Sequence, residues 1–193
     1  MLPGRIAEMD GFPQTPAVLI SDNGKIDAEW RLVNIQEDKF LPDGAELVHP
    51  ELSAIVDGQT VYMFCRNDRR RVPILYVSRD NGETWSAPIA HDIPFGSSKI
   101  YSGTLSDGKN YIIGNLDPYI RSKLAIFISR PNEMKFNKGY IIQFKKSQYL
   151  GYGSMWHYPV AYEYDNKLFV IYSADSPAGR GAVVSALDLS LID

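Results

Sequence analysis

Side chains that can carry acid–base chemistry recur at one place in a repeated pattern. Two of the three histidines, His49 and His157, each lie eight residues before an aspartate that opens a predicted turn. One position further on lies Tyr158, and two positions further on lie Glu51 and Tyr101 in their own copies. His, Glu and Tyr side chains can transfer protons and bind polar ligands. These residues therefore predict a polar pocket, and the alternative is that strands begin in polar residues because they emerge into solvent.

The pattern that positions these residues repeats with a period near 50. The turn residues Asp57 and Asp107 are 50 residues apart, and Asp165 follows 58 residues later. β-Branched and aromatic runs flank each turn, as expected for hairpins. A period near 50 with about four short strands is the sequence signature of the blades of a β-propeller. No window shows sustained helical periodicity, so we expect an all-β fold.

The repeat divides the 193 residues into a single, partial propeller domain. Blades are predicted at residues 49–95, 99–145 and 157–193, and residues 1–35 supply the outer strands of a preceding blade. Propellers close with roughly four to eight blades, and a partial ring of three to three and a half leaves sheet edges open. We therefore expect either that the chain is part of a longer polypeptide or that two copies form a homodimer and complete a ring.

One hairpin, at residues 78–85, reads Ser-Arg-Asp-Asn-Gly-Glu-Thr-Trp. Asp80 is expected to accept hydrogen bonds within its turn, Gly82 to adopt a positive φ, and Trp85 to pack on the strands beneath. The pattern Ser-x-Asp-x-Gly-x-Thr-Trp resembles the Asp-box of the sialidase-like (BNR repeat) β-propellers, and Ser129–Phe136 is a degenerate copy. The resemblance implies a six-bladed propeller, of which this chain is the C-terminal portion, and a folding role for the box.

The resemblance also implies a site for acidic sugars. Sialidases hold the substrate carboxylate with three arginines, and their nucleophile is a tyrosine assisted by a glutamate. Arg66, which ends the strand after an Asp-Gly turn, matches the second arginine of the family. Arg121, in Arg-Ser-Lys-Leu, matches the third, and Tyr158 matches the nucleophile. The implied function is a sialidase-like glycoside hydrolase that acts on acidic sugar termini of glycans.

The chain departs from the family pattern at three places. His49 stands where the glutamate is implied, and Glu51, two residues on, is the alternative partner for Tyr158. The first arginine and the acid/base aspartate have no counterpart, so we expect the isolated chain to carry an incomplete site. One alternative is a lyase or hydrolase for another uronate-type sugar, in which His49 or His157 works with Tyr158. Another is a non-catalytic propeller that binds glycan or protein.

Further substrate contacts are predicted at the entry to the inner strands. His157 and Tyr101 belong to the polar cluster, and Trp156 either stacks on a sugar ring or packs in the core.

Composition and charge limit the partners, cofactors and membrane segments that can be expected. The net charge is −3 and the longest basic run is residues 69–71, which disfavours nucleic acid as a partner. No apolar run approaches the roughly 20 residues that span a bilayer. Cys65 is the single cysteine, so an internal disulfide is excluded, and the histidines lack metal-ligand spacing. We expect no metal and no cofactor. A periplasmic or secreted location after signal cleavage and a cytoplasmic one both stay open.

Overall fold

The strands form four antiparallel sheets. The computed structural model describes residues 1–7, 14–69, 71–117, 121–144, 155–176 and 179–192. The all-β prediction is confirmed, because these residues contain fourteen strands and a single 3-10 turn at Leu189–Leu191. The chain divides into two compact units, Met1–Ile93 and Pro94–Asp193, and each is described by itself.

The first unit holds two sheets. The N-terminal sheet has the order β1-β2-β3, and the second sheet has the order β4-β5-β6-β7. Alternation is clearest in β6, where residues 74, 76 and 78 are buried and the two between them are half-buried. This is the period-2 pattern of a strand with one face on the core. The strands are β1 Leu2–Ala7, β2 Gln14–Ser21, β3 Trp30–Asn34, β4 Leu52–Asp57, β5 Thr60–Cys65, β6 Ile74–Ser78 and β7 Ile89–Ala90.

The second unit also holds two sheets. One has the order β11-β10-β9-β8, and the C-terminal sheet has the order β12-β13-β14. Leu124, Ile126, Leu168 and Val170 form the centre of the core of this unit and are fully buried. The strands are β8 Tyr101–Thr104, β9 Lys109–Asn115, β10 Lys123–Pro131, β11 Phe136–Phe144, β12 Met155–Tyr164, β13 Lys167–Ser176 and β14 Gly179–Asp188.

The turn at residues 78–85 is held by its own polar side chains. The Asp80 carboxylate accepts from the Thr84 backbone N–H at 2.9 Å and from the Thr84 hydroxyl at 2.6 Å. The Ser78 hydroxyl donates to Asp80 at 2.7 Å and accepts from the Gly82 N–H at 2.8 Å. The Trp85 indole N–H donates to the Gly82 carbonyl, and its ring packs on the core. The predicted roles of Asp80 and Trp85 are confirmed.

The backbone conformation at position 82 favours glycine. Its φ is +91°, in the left-handed region that favours glycine, as the sequence predicted. The atom closest to a Cβ built there is the flexible end of the Met1 side chain, which can move, so the positive φ is the reason for glycine.

Two strands were not anticipated from the sequence. Residues 2–7 form β1, an edge strand that carries the first sheet to three strands. Its sequence, Leu-Pro-Gly-Arg-Ile-Ala, lacks a β-branched run, and its pairing with β2 rather than its own propensity makes it a strand. Residues 136–144 form β11, whose lysine, asparagine and glycine lower its strand signal.

Candidate functional site

Arg66 is the centre of a charged cluster in the first unit. It directly follows β5, is 7% exposed, and donates from Nη1 to Glu51 Oε2 at 2.7 Å. Its Nε and Nη2 donate to the two oxygens of Asp68 at 2.7 and 2.9 Å. A guanidinium matches a carboxylate in this two-bond geometry, and charge-assisted bonds of this length are strong. Three of the five N–H donors of Arg66 are therefore bound to carboxylates of its own chain.

His49 completes this cluster. Its Nδ1 lies 2.9 Å from Asp68 Oδ2, and its side chain is 43% exposed. Its backbone has a φ of +53° directly before Pro50, in a region that L-residues seldom occupy. His49 and Glu51 are thus both brought to Arg66, and the Glu51 backbone N–H donates to the His49 carbonyl at 2.7 Å.

The electrostatics of the cluster favour the charged form of Arg66. Burial alone would lower the pKa of the guanidinium. The hydrogen bonds to Asp68 and Glu51 outweigh this effect, so the pKa of Arg66 is raised overall. Next to it, burial raises the pKa of the Cys65 thiol, which is fully enclosed. Cys65 is therefore a buried apolar side chain and not a nucleophile.

Arg121 and Tyr158 come together in the second unit. The Arg121 guanidinium carbon lies 6.0 Å from the centre of the Tyr158 ring, at the outer range of a cation–π contact. The backbone N–H of Trp156 donates to the Arg121 carbonyl at 2.8 Å, which ties the start of β12 to the segment before β10. Tyr158 is 42% exposed and has a φ of +56° directly before Pro159. The phenol is therefore presented from a backbone conformation that the fold must impose.

A β-bulge in β12 gives the Tyr158 side chain this exposed orientation. His157 pairs with Ser173 and Val160 pairs with Ile171, so two residues of β12 lie opposite one residue of β13. Bulges of this kind redirect a side chain, and they are frequent next to functional sites.

His157 lies beside Tyr158 in a polar group whose histidine and aspartate are largely shielded from solvent. Its ring is 5.4 Å from the Tyr158 ring in an edge-to-face arrangement. Its Nε2 is 3.1 Å from Asp175 Oδ2, and Arg180 Nε is 3.3 Å from the other oxygen of Asp175. The His157 nitrogens are shielded from solvent and make no hydrogen bond to the described residues. The contact with Asp175 is therefore an ion-pair distance without hydrogen-bond geometry.

The other two predicted substrate contacts point toward the core. Trp156 packs against the core cluster of the second unit, with its ring edge-to-face on Tyr172 at 5.9 Å. Of the two roles considered for Trp156, core packing fits this position. The Tyr101 hydroxyl donates to the Ala161 carbonyl at 3.1 Å, and its ring also packs on the core.

His49 and His157 are not equivalent positions, which corrects the count from the turn aspartates. Asp57 pairs with Thr60, so the first loop is residues 58–59. In the third copy, residues 165 and 166 themselves form the loop. The two counts differ by one residue, and they place His49 before its strand and His157 within β12.

Sequence reasoning missed two acidic residues, Asp68 and Asp175. Asp68 lies two residues after Arg66, in a charged loop that matches no motif. Asp175 is the last residue but one of β13. The register opposite Met155 brings it beside His157, and no sequence motif encodes that pairing.

Two properties of the described residues bear on partners and cofactors. No group of three or more histidine, cysteine, aspartate or glutamate side chains among them could hold a metal ion. No helix within them has the length and apolar character to cross a membrane.

Solved structures with the same arrangement of strands include several sialidases. A mutant of Trypanosoma rangeli sialidase with trans-sialidase activity superimposes with a TM-score of 0.70 at 14% identity, over 98% of this chain and 30% of that one. The leech intramolecular trans-sialidase gives 0.69 at 14% identity, over 91% of this chain and 27% of that one. A mutant of NanB sialidase from Streptococcus pneumoniae gives 0.60 at 18% identity, over 92% and 27%.

These likenesses define the class as an all-β, sialidase-like fold, and at such identities they show the fold alone. The chain spans about 30% of the length of the first of these relatives. A comparison with curated protein sequences gave no match. The sequence profile of the BNR repeat-like domain matches residues 1–170. The chain belongs to the BNR repeat-like domain family, as the resemblance of its hairpin at residues 78–85 implied.

Proposed function

We propose that this chain is the C-terminal part of a six-bladed propeller of a sialidase-like glycoside hydrolase. Each of the four sheets would be one blade. The turn at residues 78–85 would be the Asp-box of the blade formed by β4 to β7. In support, the solved structures with similar strands include sialidases and trans-sialidases. The substrate would be the acidic sugar terminus of a glycan.

The pairing of Arg121 with Tyr158 carries the proposal. The guanidinium lies 6.0 Å from the phenol ring, so an anionic group held by Arg121 would lie within reach of Tyr158. In this role Tyr158 is the nucleophile, and Arg121 binds the sugar carboxylate because a guanidinium fork fits it in charge and geometry. In the first unit, Arg66 has two further N–H donors for an acidic group, and Glu51 and His49 belong to the same charged cluster.

A binding experiment with the whole chain tests this function. The chain would be titrated with N-acetylneuraminic acid and followed by NMR of ¹³C-tyrosine and arginine side chains. We expect the Tyr158 and Arg121 signals to shift with the acid and to stay unchanged with its methyl ester, which lacks the charge. Equal shifts with acid and ester, or none at either residue, would contradict the proposal. Hydrolysis is not expected, because the first arginine and the acid/base aspartate have no counterpart.

The His49–Asp68 contact favours a second candidate, a lyase or hydrolase for another uronate-type sugar. An imidazole that is 2.9 Å from a carboxylate is oriented as a general base. Incubation with uronate-containing polysaccharides would distinguish the candidates, since a lyase gives an unsaturated product that absorbs in the ultraviolet. If no uronate polymer gives a change in ultraviolet absorbance, the lyase hypothesis is excluded.

A further inference from the structure

Two side-chain hydrogen bonds hold β12 on the two sides of its bulge, which lies at residues 157–160. The Asn115 side-chain amide donates to the carbonyl of Trp156, directly before the bulge, at 2.6 Å. The Tyr101 hydroxyl donates to the carbonyl of Ala161, directly after the bulge, at 3.1 Å. β12 is an edge strand of the C-terminal sheet, and an edge has backbone groups that its own sheet does not pair. Both bonds join this edge to the other sheet of the second unit.

Asn115 and Tyr101 reach β12 from the same face of that sheet. Asn115 is the last residue of β9, and Tyr101 is the first residue of β8. Tyr101 pairs with Ile113, and side chains two residues apart on one strand lie on the same face. The Asn115 side chain is fully buried, and the Asn115 backbone carbonyl accepts from the Gly96 N–H at 2.6 Å. The donor to β12 is therefore itself fixed on both its backbone and its side chain.

The segment between the two bonds contains the left-handed backbone of Tyr158, with a φ of +56°. A tyrosine seldom occupies this region, and such a conformation persists only where the surrounding structure imposes it. The bulge gives β12 one more residue than β13 between the paired positions. Because the carbonyls at positions 156 and 161 are both held, β12 cannot release this extra residue by sliding along β13.

We propose that Asn115 and Tyr101 are positioning residues for Tyr158, an inference that rests on the role given to Tyr158 in the proposed function. They fix the backbone before and after the bulge and so hold the phenol ring beside the Arg121 guanidinium. Trp156 links the two parts of the site, because it accepts from Asn115 and donates its backbone N–H to the Arg121 carbonyl. Neither positioning residue is assigned a contact with substrate.

NMR of the whole chain without ligand, with ¹³C-labelled aromatic residues, tests this positioning. The His157 and Tyr158 rings have centres 5.4 Å apart, so the wild type should show a nuclear Overhauser effect between them. Asn115→Leu keeps the branched shape but removes the N–H donor, and Tyr101→Phe removes only the hydroxyl. Each variant should shift the Tyr158 ring signals and lose the effect between the two rings, because Tyr158 then leaves its imposed conformation.

Each variant has a matched control within the second unit. Asn110, on the same strand as Asn115, donates to the Glu133 carbonyl at 2.9 Å, so Asn110→Leu removes the same kind of bond away from β12. The Tyr172 hydroxyl lies 2.9 Å from the Ser185 hydroxyl, so Tyr172→Phe removes a hydroxyl that touches neither held carbonyl. Both controls should lose stability in urea and keep the Tyr158 signals of the wild type.

Two results would overturn the proposal. One is a Tyr158 spectrum that stays unchanged in the two variants while circular dichroism shows both to be folded. The other is an equal change in the controls, because a general loss of stability would then displace Tyr158. Tyr101→Phe decides alone if Asn115→Leu does not fold. Since no ligand is used, a chain that fails to bind N-acetylneuraminic acid contradicts the proposed function and leaves this result unaffected.

Discussion

Asp68 binds Arg66 through two parallel hydrogen bonds, of 2.7 and 2.9 Å, at the end of β5. The guanidinium is buried and also donates to Glu51 at 2.7 Å. One cation is thus shared by two anions of its own chain. This arrangement fixes the orientation of Arg66 and leaves only part of its donors for a ligand. It also means that the stability of the first unit depends on both carboxylates.

Removing the charge of Asp68 should destabilise the first unit. Asp68→Asn keeps the size of the side chain but replaces one acceptor oxygen with a donor that faces Arg66. We expect the free energy of unfolding to fall by about 1–3 kcal/mol, less than for an isolated buried pair because Glu51 remains. Urea denaturation measures the loss. Asp27→Asn, at an exposed loop position, is the matched control and should change stability by less than about 0.5 kcal/mol.

The turn at residues 78–85 should make stability depend on acid pH. The hydroxyl and backbone N–H of Thr84, together with Ser78, lower the pKa of Asp80 to about 2. Because the folded pKa lies below the unfolded value of about 3.9, this stabilisation is full above about pH 4 and is lost as the pH falls toward 2. Thermal melts from pH 5 to pH 2 should show a smaller fall in Tm for Asp80→Asn than for the wild type.

Asp57→Asn, an exposed position in the hairpin of the same sheet, controls for the loss of one carboxylate. If Asp80→Asn and the wild type lose Tm in parallel, the hydrogen bonds of Asp80 do not produce the acid dependence.

Features held by contacts within a few residues can be predicted from the sequence, and features held by distant partners cannot. The turn at residues 78–85 was predicted correctly, because its hydrogen bonds lie within a few residues. The strand at residues 2–7 was missed, since its partner β2 stabilises it and not its own residues. Asp175 was missed for a similar reason. It meets His157 only through the register of β12 with β13, after a bulge that no local pattern reveals.

Gly114, in the second unit, lies so close to the Phe95 ring that packing favours glycine at this position. A Cβ on Gly114 would lie 2.7 Å from Cδ2 of Phe95, a ring that is fully buried and packs edge-to-face on Phe127 at 5.4 Å. Gly114→Ala should therefore lower the free energy of unfolding by about 1–3 kcal/mol, because the ring has to move. Gly181→Ala, in an edge strand with open space around the new Cβ, should be neutral or slightly stabilising in the same denaturation experiment.

The last prediction separates charge from geometry at Arg121. Lysine keeps the positive charge but cannot hold a carboxylate with two parallel N–H groups. Arg121→Lys should weaken binding of N-acetylneuraminic acid by roughly tenfold. Tyr158→Phe should change affinity by less than about threefold, because it removes a hydroxyl assigned to the reaction and not to carboxylate binding. NMR titration of the whole chain measures both, with Arg130→Lys at the exposed end of β10 as the control. Equal affinity in wild type and Arg121→Lys would show that Arg121 does not bind the carboxylate through two N–H groups. That result would contradict the proposed site in the second unit.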